Sequence, residues 1–240
     1  MGGGLVVVPV LIYSFTVLGF SNEVLTHMAV GTSLATIIIT SAGSISQHHR
    51  KGAVLWSVLT WFTGGLVVGA LLGAKVADLL HGRALQILFG VFAILIAVQM
   101  LWGRQPRAGR TLPGPAGLTG VGVVIGAISS IFGIGGGSLS VPFFVWCNMK
   151  MQQAVGTSSA GGMPIAIAGA AGFIWTGWKN PLLPEYSLGY VYLPALAGIA
   201  ITSVIFAQIG ARWAHRLPAA TLKKIFALLL VVMGGKLLFG

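Results

Sequence analysis

The sequence predicts an all-α integral membrane protein made of two inverted repeats, with helices that are glycine-broken, short or re-entrant. Three observations predict it: an apolar composition nearly free of acids, a series of membrane-length apolar runs, and short motifs that recur between the halves. Of 240 residues, 56% are hydrophobic and 7% charged, with 14 Lys and Arg against 3 Asp and Glu. Soluble domains carry about 25% charged residues, so a soluble enzyme is excluded, as is a disordered chain. A formal charge of +11 could suggest nucleic acid, but the basic residues are spread thinly between apolar runs, as charges flanking membrane spans are. The expected surroundings are lipid, with no nucleic-acid partner.

In order, the apolar runs cover residues 4–18, 25–47, 53–74, 84–102, 116–132, 138–148, 151–176, 187–211 and 219–239. The longer ones match the roughly 20 residues that a helix needs to cross the hydrocarbon. They are apolar on every face, whereas barrel strands alternate over about 10 residues. The run at 138–148 is too short for an ordinary span. It follows Gly133-Ile134-Gly135-Gly136-Gly137, where a continuous helix would lose about 1 kcal/mol per glycine relative to alanine. Residues 116–148 therefore read as a helix, a glycine break and a shorter return segment. Backbone freed in this way is tolerated at membrane depth only inside protein or beside a wet cavity. Pro9 and Pro142 are expected to end or kink the two short segments.

The halves repeat. Gly2-Gly3-Gly4-Leu5-Val6-Val7-Val8-Pro9 matches Gly135-Gly136-Gly137-Ser138-Leu139-Ser140-Val141-Pro142. Ala29-Val30-Gly31-Thr32-Ser33 matches Ala154-Val155-Gly156-Thr157-Ser158, and Gly73-Ala74-Lys75-Val76-Ala77 matches Gly210-Ala211-Arg212-Trp213-Ala214. Three blocks in the same order indicate an internal duplication. The expected organisation is a first repeat at 1–103 lacking its first helix, a basic cytoplasmic linker at 104–115, and a second repeat at 116–240. If 116–148 goes in and returns, Arg50, Lys51, Arg104, Arg107, Arg110, Lys150, Arg212, Arg216, Lys223 and Lys224 share one side, against Lys75, Arg83, Lys179 and Lys236. A single crossing would instead split the charges evenly. Because cytoplasmic loops are enriched in Lys and Arg, the biased arrangement is preferred, and it makes the halves inverted, as in many secondary transporters.

The glycine stretch at 133–142, the two Ala-Val-Gly-Thr-Ser blocks and the duplication resemble the TauE/SafE sulfite exporter family of small bacterial membrane permeases. The resemblance covers essentially the whole chain. It implies a multi-pass protein of the bacterial plasma (inner) membrane that moves small sulfur-containing anions: sulfite, sulfonates such as sulfoacetate, or thiosulfate. Members usually have a helix before the first glycine motif, whereas here Gly2 follows Met1. The first half-site is therefore expected to be incomplete, or completed by a neighbouring subunit in a homodimer.

The motifs suit an anion on chemical grounds. A chain break before a helix start offers free N–H groups and the positive end of a dipole, and glycine lets an oxyanion approach them closely. Gly135, Gly136 and Gly137 are the first candidates, with Gly3 and Gly4 as a second donor set. For Gly65, Gly69 and Gly73, spaced four apart, close helix packing is the better reading. Gly31, Thr32 and Ser33 and their counterparts Gly156, Thr157 and Ser158 are weighed evenly. Their hydroxyls could donate to substrate or bond their own helix backbone. Gln47, Asn148 and Gln208 are weaker additions at run ends. His48-His49 beside Arg50-Lys51 reads as a membrane-surface cluster, since nothing near it completes a metal site. His27 could line a polar path, and His81 and His215 fall in loops. Trp56, Trp61, Trp102, Trp175 and Trp178 sit near run ends as interfacial anchors do; Trp146 and Trp213 are less easily placed.

Glu23, Asp78 and Glu185 all fall in expected loops, leaving no carboxylate inside a span to relay protons or hold a cation. That argues against a metal-cation transporter and for an anion path. The leading expectation is an exporter working by alternating access, with no cofactor. An anion channel is the nearest alternative. A membrane transferase would need a nucleophile, and the lone thiol, Cys147, has no histidine or acid near it in sequence. A membrane scaffold would have little use for duplicated glycine breaks.

Overall fold

The computed structural model describes residues 3–102, 109–203 and 219–239. The helices follow the apolar runs: α1 Gly3–Val17, α2 Leu25–Arg50, α3 Trp56–Asp78, α4 Gly82–Trp102, α5 Pro115–Ile131, α6 Gly137–Trp146, α7 Met151–Gly177, α8 Leu193–Ser203 and α9 Ala219–Phe239. Among the described residues α2, α3, α4 and α7 are long and apolar enough to cross a membrane. The chain is a multi-pass, helical membrane protein. Gly2, the block at 210–214, Arg104, Arg107, Arg216, Gln208 and His215 lie outside the described residues.

Several expectations need correction. The 187–211 run does not begin as a helix. Ser187–Leu188 (β1) and Val191–Tyr192 (β2) form a two-stranded antiparallel hairpin ahead of α8. Gly189 sits at its turn with φ +54°, the positive φ that glycine accepts without strain. Asp78 is the last residue of α3 rather than a loop residue. Pro9 and Pro142 lie inside α1 and α6 and end neither helix.

Helix contacts give relative directions. Gly65, Gly69 and Gly73 on α3 meet the backbone at Thr119, Val123 and Ala127 on α5. The partners advance together, so α3 and α5 run parallel, with backbones so close that no Cβ fits between them. This confirms the packing role expected for that glycine stripe. The two longest helices, α2 and α7, are also the most deeply buried. Gly31 lies against Phe173, and Leu34, further along α2, against Gly169, earlier in α7; these helices run antiparallel. The same holds for α4 and α9, where Gly90 meets Gly234 and Leu238 while Gly234 meets Gly90 and Ile94.

The duplicated segments exchange equivalent contacts. A Cβ on Gly31 would sit 2.8 Å from the Tyr190 carbonyl oxygen, and one on its counterpart Gly156 2.5 Å from the Ala53 carbonyl oxygen. Tyr192 N–H donates to Thr32 Oγ1 at 3.0 Å, and Leu55 N–H to Thr157 Oγ1 at 3.0 Å. Each half thus braces the chain just before a helix of the other.

Candidate functional site at the glycine break

The 133–137 cluster divides its glycines between two tasks. Gly133 N–H donates to Ser130 O at 3.2 Å and Ile134 N–H to Ser129 O at 2.9 Å, the paired bonds that close a helix around a left-handed residue. Gly133 supplies that residue with φ +63°. Gly136, with φ +70°, is the N-cap of α6. Phe132 anchors the break by stacking on Phe92 of α4, with centroids 4.1 Å apart and planes 7° from parallel. Gly109 and Arg110 N–H both donate to Trp146 O, at 3.2 and 3.3 Å. The end of α6 therefore returns to the side on which the chain enters α5, as a re-entrant segment does.

The break lies beside the central parts of α2 and α7. Ser33 Oγ donates to Gly133 O at 2.9 Å, Ile37 packs on Gly135, and a Cβ on Gly162 would lie 2.9 Å from Gly135 O. Residues 33–37 and 162 fall near the middles of α2 and α7. Gly4, in the first turn of α1, packs directly on the Gly133 backbone, so the start of α1 meets the break from the other half. None of the N–H groups from Gly135 to Ser138 donates to another described residue.

Polar groups here lack partners. Ser129 and Ser130 at the end of α5 are fully buried, and their hydroxyls have no hydrogen-bond partner among the described residues. Ser129 Oγ lies 3.4 Å, and Ser140 Oγ 3.6 Å, from where a Gly136 Cβ would be; Ile165 Cδ1 lies 2.6 Å from the same point. Ser130 Oγ lies 2.9 Å from the corresponding point on Gly169. Buried hydroxyls are rarely left unpaired, because each costs about 1–3 kcal/mol. Every described Lys and Arg is exposed. The environment is polar and uncharged.

The structure brings some expected site residues together and separates others. Gly135, Gly136 and Gly137 form the break, with Gly4 and Ser33 beside it. Gly3 is exposed, with nothing within 4 Å of where its Cβ would be. Gly31, Thr32, Gly156 and Thr157 sit at the two crossed braces. Ser158 is buried and unpaired, one turn before Gly162 and on the same face of α7. Residue-type reasoning missed Ser129 and Ser130. Their signal was a Ser-Ser pair just before the glycine cluster, inside an otherwise apolar run. His27 does not line a path: its ring is 3% exposed, stacks on Tyr190, and donates from Nε2 toward Ala77 O and Leu80 O at 2.9 and 3.1 Å. It closes the end of α3. Asn148 takes φ +62° in the turn after α6.

The sequence profile of the sulfite exporter TauE/SafE family matches residues 1–237. The chain belongs to that family. A probable membrane transporter protein of Haemophilus influenzae is 38% identical, over 97% of this chain and 89% of the relative. Another from Methanocaldococcus jannaschii is 28% identical over 98% and 86%, and YunE of Bacillus subtilis, also a probable membrane transporter, 27% over 100% and 90%. No solved structure matches. Membership in the TauE/SafE family makes the chain a membrane transporter whose substrate is a small anion.

Proposed function

We propose that this TauE/SafE member exports a small sulfur-containing anion, such as sulfite, a sulfonate or thiosulfate, across the bacterial plasma membrane by alternating access. The observation that carries the reading is the glycine break packed against the central parts of α2 and α7. Free N–H groups at the start of α6 meet buried hydroxyls there, with no described acid nearby to repel an anion. Such donors are positioned in advance and cost little to reorganise around a passing oxyanion. Two repeats, 1–103 and 116–240 joined by 104–115, would rock about this point. The antiparallel courses of α2 against α7 and α4 against α9, each pair equivalent under the duplication, support an inverted relation between them.

Residues around the break, including Gly135–Gly137, Ser33 and Ser158, would contact the substrate, while Thr32 and Thr157 hold the frame. Export of a monoanion from an inside-negative cell gains about 2.3 kcal/mol per 100 mV, so no proton relay is needed. Transferase chemistry is disfavoured by burial of Cys147, which pushes its thiol up against the opposing influence of Arg110. A thiol held protonated is a poor nucleophile. Proteoliposomes loaded with sulfite or a sulfonate should release it faster when the inside is made negative. Release that ignored potential and followed a proton gradient would sink the uniport mechanism, and no flux of any sulfur anion would sink the substrate class.

A further inference from the structure

The α6 start is roofed by the end of α5. Ser129 Oγ is fully buried, unpaired and within 3.4 Å of the point over the Gly136 N-cap, which Ser140 Oγ also reaches. Ser130 Oγ, one residue on, is equally buried and unpaired, facing Gly169. Two adjacent hydroxyls have no partner among the described residues, and the first of them stands beside the free N–H groups of the α6 start, so the site has donors to spare and no fixed positive charge.

We propose that Ser129 and Ser130 are substrate-binding residues, and that this uncharged donor set selects singly charged oxyanions, simple alkanesulfonates and hydrogensulfite, over dianions such as sulfate, thiosulfate and sulfoacetate. The inference rests on the transport reading above and narrows it. A helix start carries about half an elementary charge. The α6 start at the break therefore offsets part of one negative charge and falls well short of balancing two. The cost of desolvating an ion scales with the square of its charge, so a dianion loses about four times as much on entering. An Arg or Lys in the site would offset that cost, and every described Arg and Lys here is exposed. Ile165 lies over Gly136 and adds an apolar wall on that side.

The test uses the purified full chain in detergent, titrated with sodium methanesulfonate and sodium sulfate at equal ionic strength. Methanesulfonate should bind at least roughly a hundredfold more tightly than sulfate. Sulfite affinity should rise as pH falls and hydrogensulfite replaces the dianion, while methanesulfonate affinity stays level. Ser129→Ala and Ser130→Ala should each weaken methanesulfonate by roughly tenfold or more, without lowering the melting temperature, because each removes a hydroxyl that bonds no other described residue. Sulfate binding as tightly as methanesulfonate would overturn the proposal, as would unchanged affinity in the double variant or a lower melting temperature in either single one. Those results leave the transport reading standing, whereas binding of no sulfur anion at all would defeat both. The comparison of the two anions on the unmodified protein decides the charge selectivity even if a variant folds poorly.

Discussion

Hydroxyls within helices of this protein divide by what they bond. Ser14, Thr16, Thr36 and Thr60 donate to the carbonyl four residues back in their own helix, the ordinary behaviour of such residues in membrane helices. Thr32 and Thr157 instead accept from the backbone of the opposite half. Removing either hydroxyl strands a partly buried N–H, which costs about 1–3 kcal/mol. Thr32→Ala and Thr157→Ala should therefore each lower thermal stability measurably in detergent, whereas Ser14→Ala should change it by less than about 0.5 kcal/mol. Equal melting temperatures for all three would refute the bracing role. Gly136→Ala makes a sharper case, since its φ of +70° costs alanine about 1–2 kcal/mol and its Cβ would strike Ile165. It should lose stability and anion binding together, seen as a lower melting temperature and a flat titration. The paired Thr-Ser motifs were legible as important from their duplication. Which partner each hydroxyl takes was not, because the partners lie 102 and 160 positions away in sequence.

Among the elements, the α3–α5 pair shows what the glycine spacing encodes. Gly65 leaves no room for a Cβ against Thr119, while neighbouring Gly64 has nothing within 4 Å. Gly64→Ala should be neutral or stabilising by up to about 1 kcal/mol through the helix's own preference. Gly65→Ala must push α5 away and should reduce the yield of folded protein. Size-exclusion profiles of the two variants, expressed side by side, check the contrast; similar profiles would mean that α5 is not locked against α3. Helix positions were readable because membrane spans announce themselves by length and uniform hydrophobicity. The hairpin was not, because its two-residue strands are too short to interrupt an apolar window, although the Leu-Gly-Tyr-Val-Tyr stretch at 188–192 carries the turn glycine and β-forming residues of such a motif. Ser129 and Ser130 were hidden for another reason. Only the packed structure shows that no described residue pairs with them.

At the scale of the whole molecule, the basic residues sort by end. Lys75 pairs with Asp78, which accepts from Tyr190; Arg83 reaches Leu238 O, and Lys236 lies over the Tyr13 ring. These contacts gather the start of α2, the end of α3, the hairpin and the end of α9 at one end. Arg110 lies over Trp146, and the Gly156–Ala53 and Thr157–Leu55 contacts bring the end of α2 and the start of α7 to the other, with Arg50, Lys51 and Lys150. The more basic end should face the cytoplasm. In a Cys147→Ala background, Lys51→Cys and Lys150→Cys should react with a membrane-impermeant maleimide only after cells are opened. Arg83→Cys and Lys179→Cys should react in intact cells. This pattern requires 116–148 to enter and leave on one side, because a single crossing would carry Lys150 across while Lys51 stayed. Labelling of Lys51→Cys and Lys150→Cys from opposite sides would therefore break the re-entrant reading, and with it the inverted relation that places the glycine break midway across the membrane.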